Sequence, residues 1–352
     1  MPNSSDMQPY LKVFCFLSKL RIVPFHLSFE GHGRVVMKRD RRRFIWNLFF
    51  LYGFFRTWLS IYNFVMIWRS GTAPTYELSI HALEILASVA VTGPQILSFM
   101  GQGEITAAIF SFIFKGTGER STETHPKRSH SLQESFAAYL MQIVYSECIG
   151  LNILAAIFCT KVHLYQNLPV TLQNPFIFLL CFIHEILFWI GRPIAFILCV
   201  SNMLLFFEDV SRTLISEIRF IRSNPSLEPS ELQKLQDVCR KTEVVVRLFN
   251  IGHSALIYFF KMLFLSASIF GFFFGIHLLP INRPVSLYLM YLGVFAFTSY
   301  CVTFDKAFRV PASMDTLKNE VTKCMQLSRS SKLRREIFEK RMQAIANVGI
   351  KK

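Results

Sequence analysis

Apolar residues gather in six long runs, at 44–68, 80–100, 136–159, 176–207, 251–279 and 285–304. A hydrocarbon core about 30 Å thick is crossed by roughly 20 residues of helix. Each run meets that length, and six in succession leave no polar shell for a soluble fold. The pattern predicts an all-α integral membrane protein with six transmembrane helices over 44–304. A cytoplasmic N-terminal segment, 1–43, precedes them, and a cytoplasmic helical segment, 305–352, follows. The fourth run has helix-compatible sequence as far as Arg222, where Asn224, Pro225 and Pro229 break it. Ser230 is the expected N-cap of the next helix, with Gln233 at the capping-box position. No proline follows between Glu231 and Leu279, and Leu232, Leu235, Val238, Cys239, Val245 and Leu248 fall near helical spacing. The stretch 208–250 therefore reads as two helices that leave the membrane and meet in a tight turn. Residues 315–346 repeat the style, with Leu317, Val321, Met325, Leu333, Ile337 and Met342 among many charges. These cytoplasmic extensions form either a bundle below the membrane or separate solvated helices.

The basic residues set the orientation. Nine Lys and Arg lie in 1–43, four in 101–135, seven in 208–250 and twelve in 305–352, against one in each of the alternate connections 69–79, 160–175 and 280–284. Basic residues near span ends are retained in the cytoplasm, so both ends are expected there. Residues 11–25 are apolar but interrupted by Lys12, Lys19 and Arg21, with no small-residue cleavage site after them. They read as a short cytoplasmic or interfacial amphipathic helix, or as a disordered tail. Trp46 and Trp68, at the two ends of the first run, are placed at the headgroup interfaces. Residues 115–135, rich in Gly, Ser and Thr, are the expected linker.

Composition narrows the function. Charged residues make up 17% of the chain, where soluble proteins average about 25%. The net charge of +15 is spread over membrane-flanking segments rather than one face of a soluble domain, so no nucleic-acid partner is expected. No Walker A loop, no Gly-x-Gly-x-x-Gly and no His-Glu-x-x-His occurs, and His184 and Glu185 have no second His at metal-ligand spacing. No cofactor, no metal and no enzymatic activity are expected. Ionisable residues inside the runs are costly in lipid and therefore informative: Arg56, Glu84, Glu147, Glu185, Arg192 and Lys261. Glu185 and Arg192, seven apart, share one helix face and line a polar cavity with Glu147 or Lys261 opposite, or else pair across helices and fix their packing. Pro94 and Pro193 are expected to kink their helices.

Two segments carry a family resemblance. The opening Leu11-Lys-Val-Phe-Cys-Phe-Leu-Ser-Lys-Leu-Arg-Ile-Val-Pro-Phe25 is an apolar run ending in Pro-Phe. Leu248-Phe-Asn-Ile-Gly-His-Ser-Ala-Leu256 forms an Asn-centred entry to the fifth span. With the order of spans and the cytoplasmic N-terminus, the chain resembles the arthropod gustatory receptors and gustatory-receptor-like proteins of the insect seven-transmembrane chemoreceptor superfamily. The resemblance implies an insect chemoreceptor-like bundle and a chemosensory, gustatory receptor of the ligand-gated cation channel type. It implies a plasma-membrane protein, detecting small molecules and assembling as a homo- or hetero-oligomer, a tetramer in the family. It places the ligand among the second to sixth spans toward the outside. With the polar residues of spans three to five, that makes Tyr145, Glu147, His184, Trp189, Arg192 and Tyr258 the expected lining. The family's Thr-Tyr-(five apolar)-Gln-Phe motif, in a seventh, pore-lining span, does not occur in this sequence. Channel activity is expected to need such a span.

Two other classes compete. A G-protein-coupled receptor is disfavoured by the cytoplasmic N-terminus and by the lack of Asp-Arg-Tyr and Asn-Pro-x-x-Tyr motifs. A multi-pass transporter more often shows an internal repeat, and none is visible here.

Overall fold

The computed structural model describes residues 15–16, 18–19, 21, 23–30, 34–39, 44–115, 131–158, 165, 168–224, 227–327 and 332–345. The helix expected over 11–25 lies largely outside the described residues, as do 116–130 of the expected linker.

The N-terminal segment holds an antiparallel hairpin that periodicity had not suggested. Strands β1 (Phe25–Glu30) and β2 (Arg34–Arg39) pair in register from Phe25 opposite Arg39 to Glu30 opposite Arg34. Phe25, Leu27 and Phe29 alternate with His26, Ser28 and Glu30, which is the strand period. Only six residues carry that signal, and the basic run beside them masks it. Phe25 is fully buried and meets the Phe99 ring edge-on at 4.9 Å, so the hairpin is tied to the helices.

The rest of the described chain is helical. Helix α1 spans Phe44–Ser70, and α2, Thr75–Pro94, runs on into a π-helical turn, Gln95–Met100. Helices α3 (Gly103–Lys115), α4 (Leu132–Phe158), α5 (Pro175–Gly191) and α6 (Pro193–Ser223) follow. The longest, α7 (Pro229–Leu278) and α8 (Arg283–Leu327), lie against each other, and α9 (Lys332–Ala344) closes the series. Five of these are long and apolar enough to cross a membrane: α2 with its π turn, α4, α6, α7 and α8. Helix α1, the first expected span, is long enough but diluted by Asn47, Arg56 and Asn63. Outward-facing Leu51, Phe55, Phe182, Ile269 and Phe273 are all about half exposed or more, an apolar surface of the kind that water-soluble proteins keep small. The chain is a helical, multi-pass membrane protein in its architecture.

Several boundaries differ from expectation for local reasons. The fourth apolar run divides at Arg192, because Pro193 has no N–H to continue the ladder and its ring crowds the preceding turn. Helix α7 is capped by Glu228 rather than Ser230. Proline suits the first helical position, where no donor is needed, so Pro229 takes it and Glu231 closes the capping box, accepting from the Glu228 N–H at 3.0 Å. The sixth span and the first part of 315–346 fuse into α8, with Pro311 inside the helix. Trp46 is buried and stacked on Phe50, whereas Trp68 is exposed.

Helix α6 forms the axis of the fold: every residue from 193 to 208 is buried. It packs against α2, α4 and α8, and it meets α7 through ring contacts, Phe196 on Phe260 and Phe206 on Phe249. Helices α7 and α8 approach closely where Gly271 faces Gly293; a Cβ on Gly271 would stand 2.6 Å from the Gly293 nitrogen. Small residues at such crossings let helices in lipid meet backbone to backbone.

Candidate functional site

The buried charges converge where α1, α2 and α5 meet. Helix α1 carries Tyr52, Arg56 and Ser60 at four-residue steps, hence on one face, with Gly53 and Thr57 beside them. Helix α2 supplies Glu84 and Thr92, eight apart on one face. The last turns of α5 supply His184, Glu185, Phe188 and Trp189, and Arg192 follows at the junction.

Arg56 is the hub. Its Nη2 donates to Glu185 Oε1 at 2.7 Å and stands 3.7 Å from Glu84 Oε1. Ser60 Oγ donates to the same Glu84 oxygen at 3.1 Å. All three ionic side chains are buried. A buried carboxylate is tolerated only when paired and hydrogen-bonded, and one guanidinium here serves two of them. Arg192 is the second cation and is wholly buried. Its Nη2 donates to Thr92 Oγ1, and its guanidinium carbon lies 5.0 Å from the Phe188 ring centroid. The guanidinium rests directly on Gly53: a Cβ there would overlap Arg192 Nη1, so any side chain at that position would displace the guanidinium. Among the described residues, Arg192 Nε and Nη1 and the Tyr52 hydroxyl have no hydrogen-bond partner.

Aromatic rings enclose this group. Tyr52 meets His184 edge-on at 4.8 Å and Phe188 at 5.6 Å, and Phe188 meets Trp189 at 5.4 Å. Phe188 and Trp189 belong to an apolar cluster with Ile80, Leu83, Leu151, Leu278 and Leu289, separate from the main core. Glu147 lies at the other edge of that cluster. Tyr288 donates to its backbone carbonyl at 2.9 Å, and the Tyr288 and Tyr291 hydroxyls lie beside its carboxyl group.

Of the six residues expected from sequence, His184, Trp189 and Arg192 come together. Glu147 is in the neighbouring polar group. Tyr145 is half-buried against the main core. Tyr258 is 62% exposed on the outer face of α7, so it cannot line an interior site in this arrangement. Glu185 and Arg192 share the cluster but do not pair with each other; Glu185 takes Arg56. Lys261 is elsewhere, its Nζ 5.3 Å from the Phe304 ring centroid and 5.4 Å from that of Phe308. Tyr52, Thr57, Ser60 and Thr92 are not singled out by the sequence, and Arg56 and Glu84 are recognisable there as costly charges but not as part of the site. A polar stripe at 52, 56 and 60 was visible along α1, but nothing in the sequence aligned it with α5. Among the described residues no group of three or more His, Cys, Asp or Glu is placed to hold a metal. Compared with protein-family models and with curated proteins, the chain finds no match.

Proposed function

We propose that this chain is a chemosensory receptor of the gustatory-receptor-like kind, gated by a small molecule bound at the α1–α2–α5 cluster. Arg192 carries the reading: a buried guanidinium with two nitrogens, Nε and Nη1, unused, beside an unused Tyr52 hydroxyl and ringed by Phe188, Trp189 and His184. Such a group recognises a compound with an acceptor oxygen at one end and an apolar or aromatic body. Helix α1 and the joined α5 and α6 serve as spans in this reading, giving six, and the basic bias puts both ends in the cytoplasm of a plasma-membrane oligomer that conducts cations. The interruptions at Pro94 and Arg192 also suit a transporter, whose binding sites gather at broken helices.

Cells expressing the full chain, with and without a related receptor subunit, are exposed to a panel of sugars, amino acids and hydrophobic heterocycles while cation current and uptake are recorded. The receptor reading expects a current for at least one compound that Arg192→Gln lowers more than tenfold in sensitivity at unchanged surface expression. Uptake of a panel compound without current supports the transporter instead. A current untouched by Arg192→Gln removes the cluster from the gating mechanism.

A further inference from the structure

A second set of buried polar groups lies far from the charged cluster, where α6, α7 and α8 pack together. Helices α6 and α8 run in parallel, and two ion pairs fix their register. Lys306 Nζ stands 3.8 Å from Glu208 Oε2, and Arg222 Nη2 stands 3.2 Å from Glu320 Oε1. Both pairs join residues 98 apart (306 − 208 and 320 − 222). One register therefore holds over four turns. Carried back seven residues, or two turns along the same stripe, it sets Ser201 opposite Ser299, and carried back three it brings Thr303 to the same stripe. Helix α7 runs the other way, and two ring contacts fix its level. Phe206 stacks on Phe249 at 4.0 Å, and Phe196 meets Phe260 at 5.5 Å. One turn from the first contact toward the second lie Asn202 on α6 and His253 on α7, so these face each other.

Ser201, Asn202, His253, Ser299 and Thr303 are each 1% exposed. The three hydroxyls and both Asn202 amide atoms have no hydrogen-bond partner among the described residues, and the His253 ring has none beyond the backbone of Phe249 one turn before it. Lower on the same seam, Ser211 Oγ also lacks one. Buried polar groups are satisfied in nearly every folded protein, and ordered water is the usual partner where side chains do not reach each other. The seam also has a wet end. Arg212 bridges Glu134 and Glu208 there, and its side chain and that of Lys306 are about a quarter exposed. From Glu208 to Ser201 is about 10 Å of helix.

We infer that the α6–α7–α8 seam holds a column of ordered water, entering past Arg212 and Lys306 and ending at Asn202 and His253 inside the apolar depth of the bundle. The ligand is water, and the five neutral polar side chains are its binding site. The column is independent of the small-molecule site and does not depend on the receptor reading. It gives the central helix a hydrated seam on one side.

Radiolytic footprinting reads bound water directly, because hydroxyl radicals formed from it oxidise the side chains it touches. The full chain in lipid vesicles, given a millisecond X-ray pulse, should show oxidation of His253, Phe249 and Phe206. After correction for intrinsic reactivity, the rates should exceed those of Phe196 and Phe260 more than tenfold. Those two rings sit on the same helices and are at most 7% exposed. The triple variant Asn202→Leu, Ser299→Ala, Thr303→Val should bring the two sets to the same low rate. Equal, low rates in the unaltered protein would overturn the inference, meaning that the polar groups bond directly to one another in a dry seam. Fast labelling that persists in the triple variant would also overturn it, since the water would then owe nothing to these side chains.

Discussion

Helices α5 and α6 are two halves of a single apolar run, joined at Arg192, yet they live in different surroundings. On α5, Phe176, Phe178, Leu179, Leu180, Phe182 and Ile183 are all about half exposed or more. On α6, every residue from 193 to 208 is buried. Helix α5 holds to the bundle along one face, through Glu185 on Arg56 and His184 on Tyr52. Helix α6 is held on all sides by side-chain packing. Hydropathy cannot separate them, because it measures distance from water and not the identity of the neighbour. Lipid tails are as apolar as leucine, so an exposed Phe on α5 is no cost in a membrane, and apolar burial alone gives α5 little reason to dock. Its attachment then depends on a few polar contacts, whereas that of α6 depends on many apolar ones.

The largest effect should come from cutting the polar attachment. Arg56→Ala leaves Glu185 and Glu84 buried without their shared partner. Removing one member of a buried pair costs about 3–5 kcal/mol. Thermal unfolding in detergent should report this, and proteolysis near the turn Val170–Leu172 should show α5 released first. The double variant Arg56→Met, Glu185→Leu should lose less than the two single changes together, by roughly 1–3 kcal/mol of coupling. Costs that simply add would mean α5 is held by packing after all, and the contrast with α6 would fall.

The sequence made much of this legible, for identifiable reasons. Long apolar runs become helices because each must satisfy its own backbone in lipid, so every run is helical. The fourth nevertheless divides at Arg192 and the sixth continues to Leu327, and a break does fall between Ser223 and Pro229. Charges inside the runs were recognisable as costly, and three of the six expected residues do meet. Partner choice was not legible. Glu185 and Arg192 share a face on one helix, but only the packing of α1 against α5 brings Arg56 closer to Glu185. Tyr258 shows the same limit from the other side: helical phase alone does not say whether a tyrosine turns to lipid or to the core. The β1–β2 hairpin was hidden because a six-residue alternation beside a basic run carries little signal.

A second test compares equal truncations on the two halves. Leu204 on α6 is fully buried, and Leu204→Ala should cost about 3 kcal/mol through lost contacts and a cavity that the surrounding helices only partly fill. Leu180→Ala on α5 removes the same atoms from a surface that lipid closes over, and should change stability by no more than about 0.5 kcal/mol. Chemical or thermal unfolding of both variants in the same lipid–detergent mixture measures the ratio. A large loss at Leu180 would place a protein surface, such as another subunit, against α5.

The smallest energetic change gives the most direct view of the neighbour. Phe178→Trp replaces one half-exposed aromatic ring by another and should leave stability within about 0.5 kcal/mol. In a background with Trp46, Trp58, Trp68 and Trp189 replaced by Phe, that new indole is the sole emitter. Brominated acyl chains quench an indole only on contact, so reconstitution in such lipids should remove most of its emission. Native Trp189, retained alone in a parallel variant, is the reference. It lies on the same helix three turns further on, but is 8% exposed and packed against Phe188. Its emission should be nearly unaffected, since no lipid chain reaches it. Equal quenching of both would show that α5 turns freely in the bilayer and that Glu185 does not hold its face. Equal protection of both would put protein over Phe178, and the two halves of the run would then be buried alike.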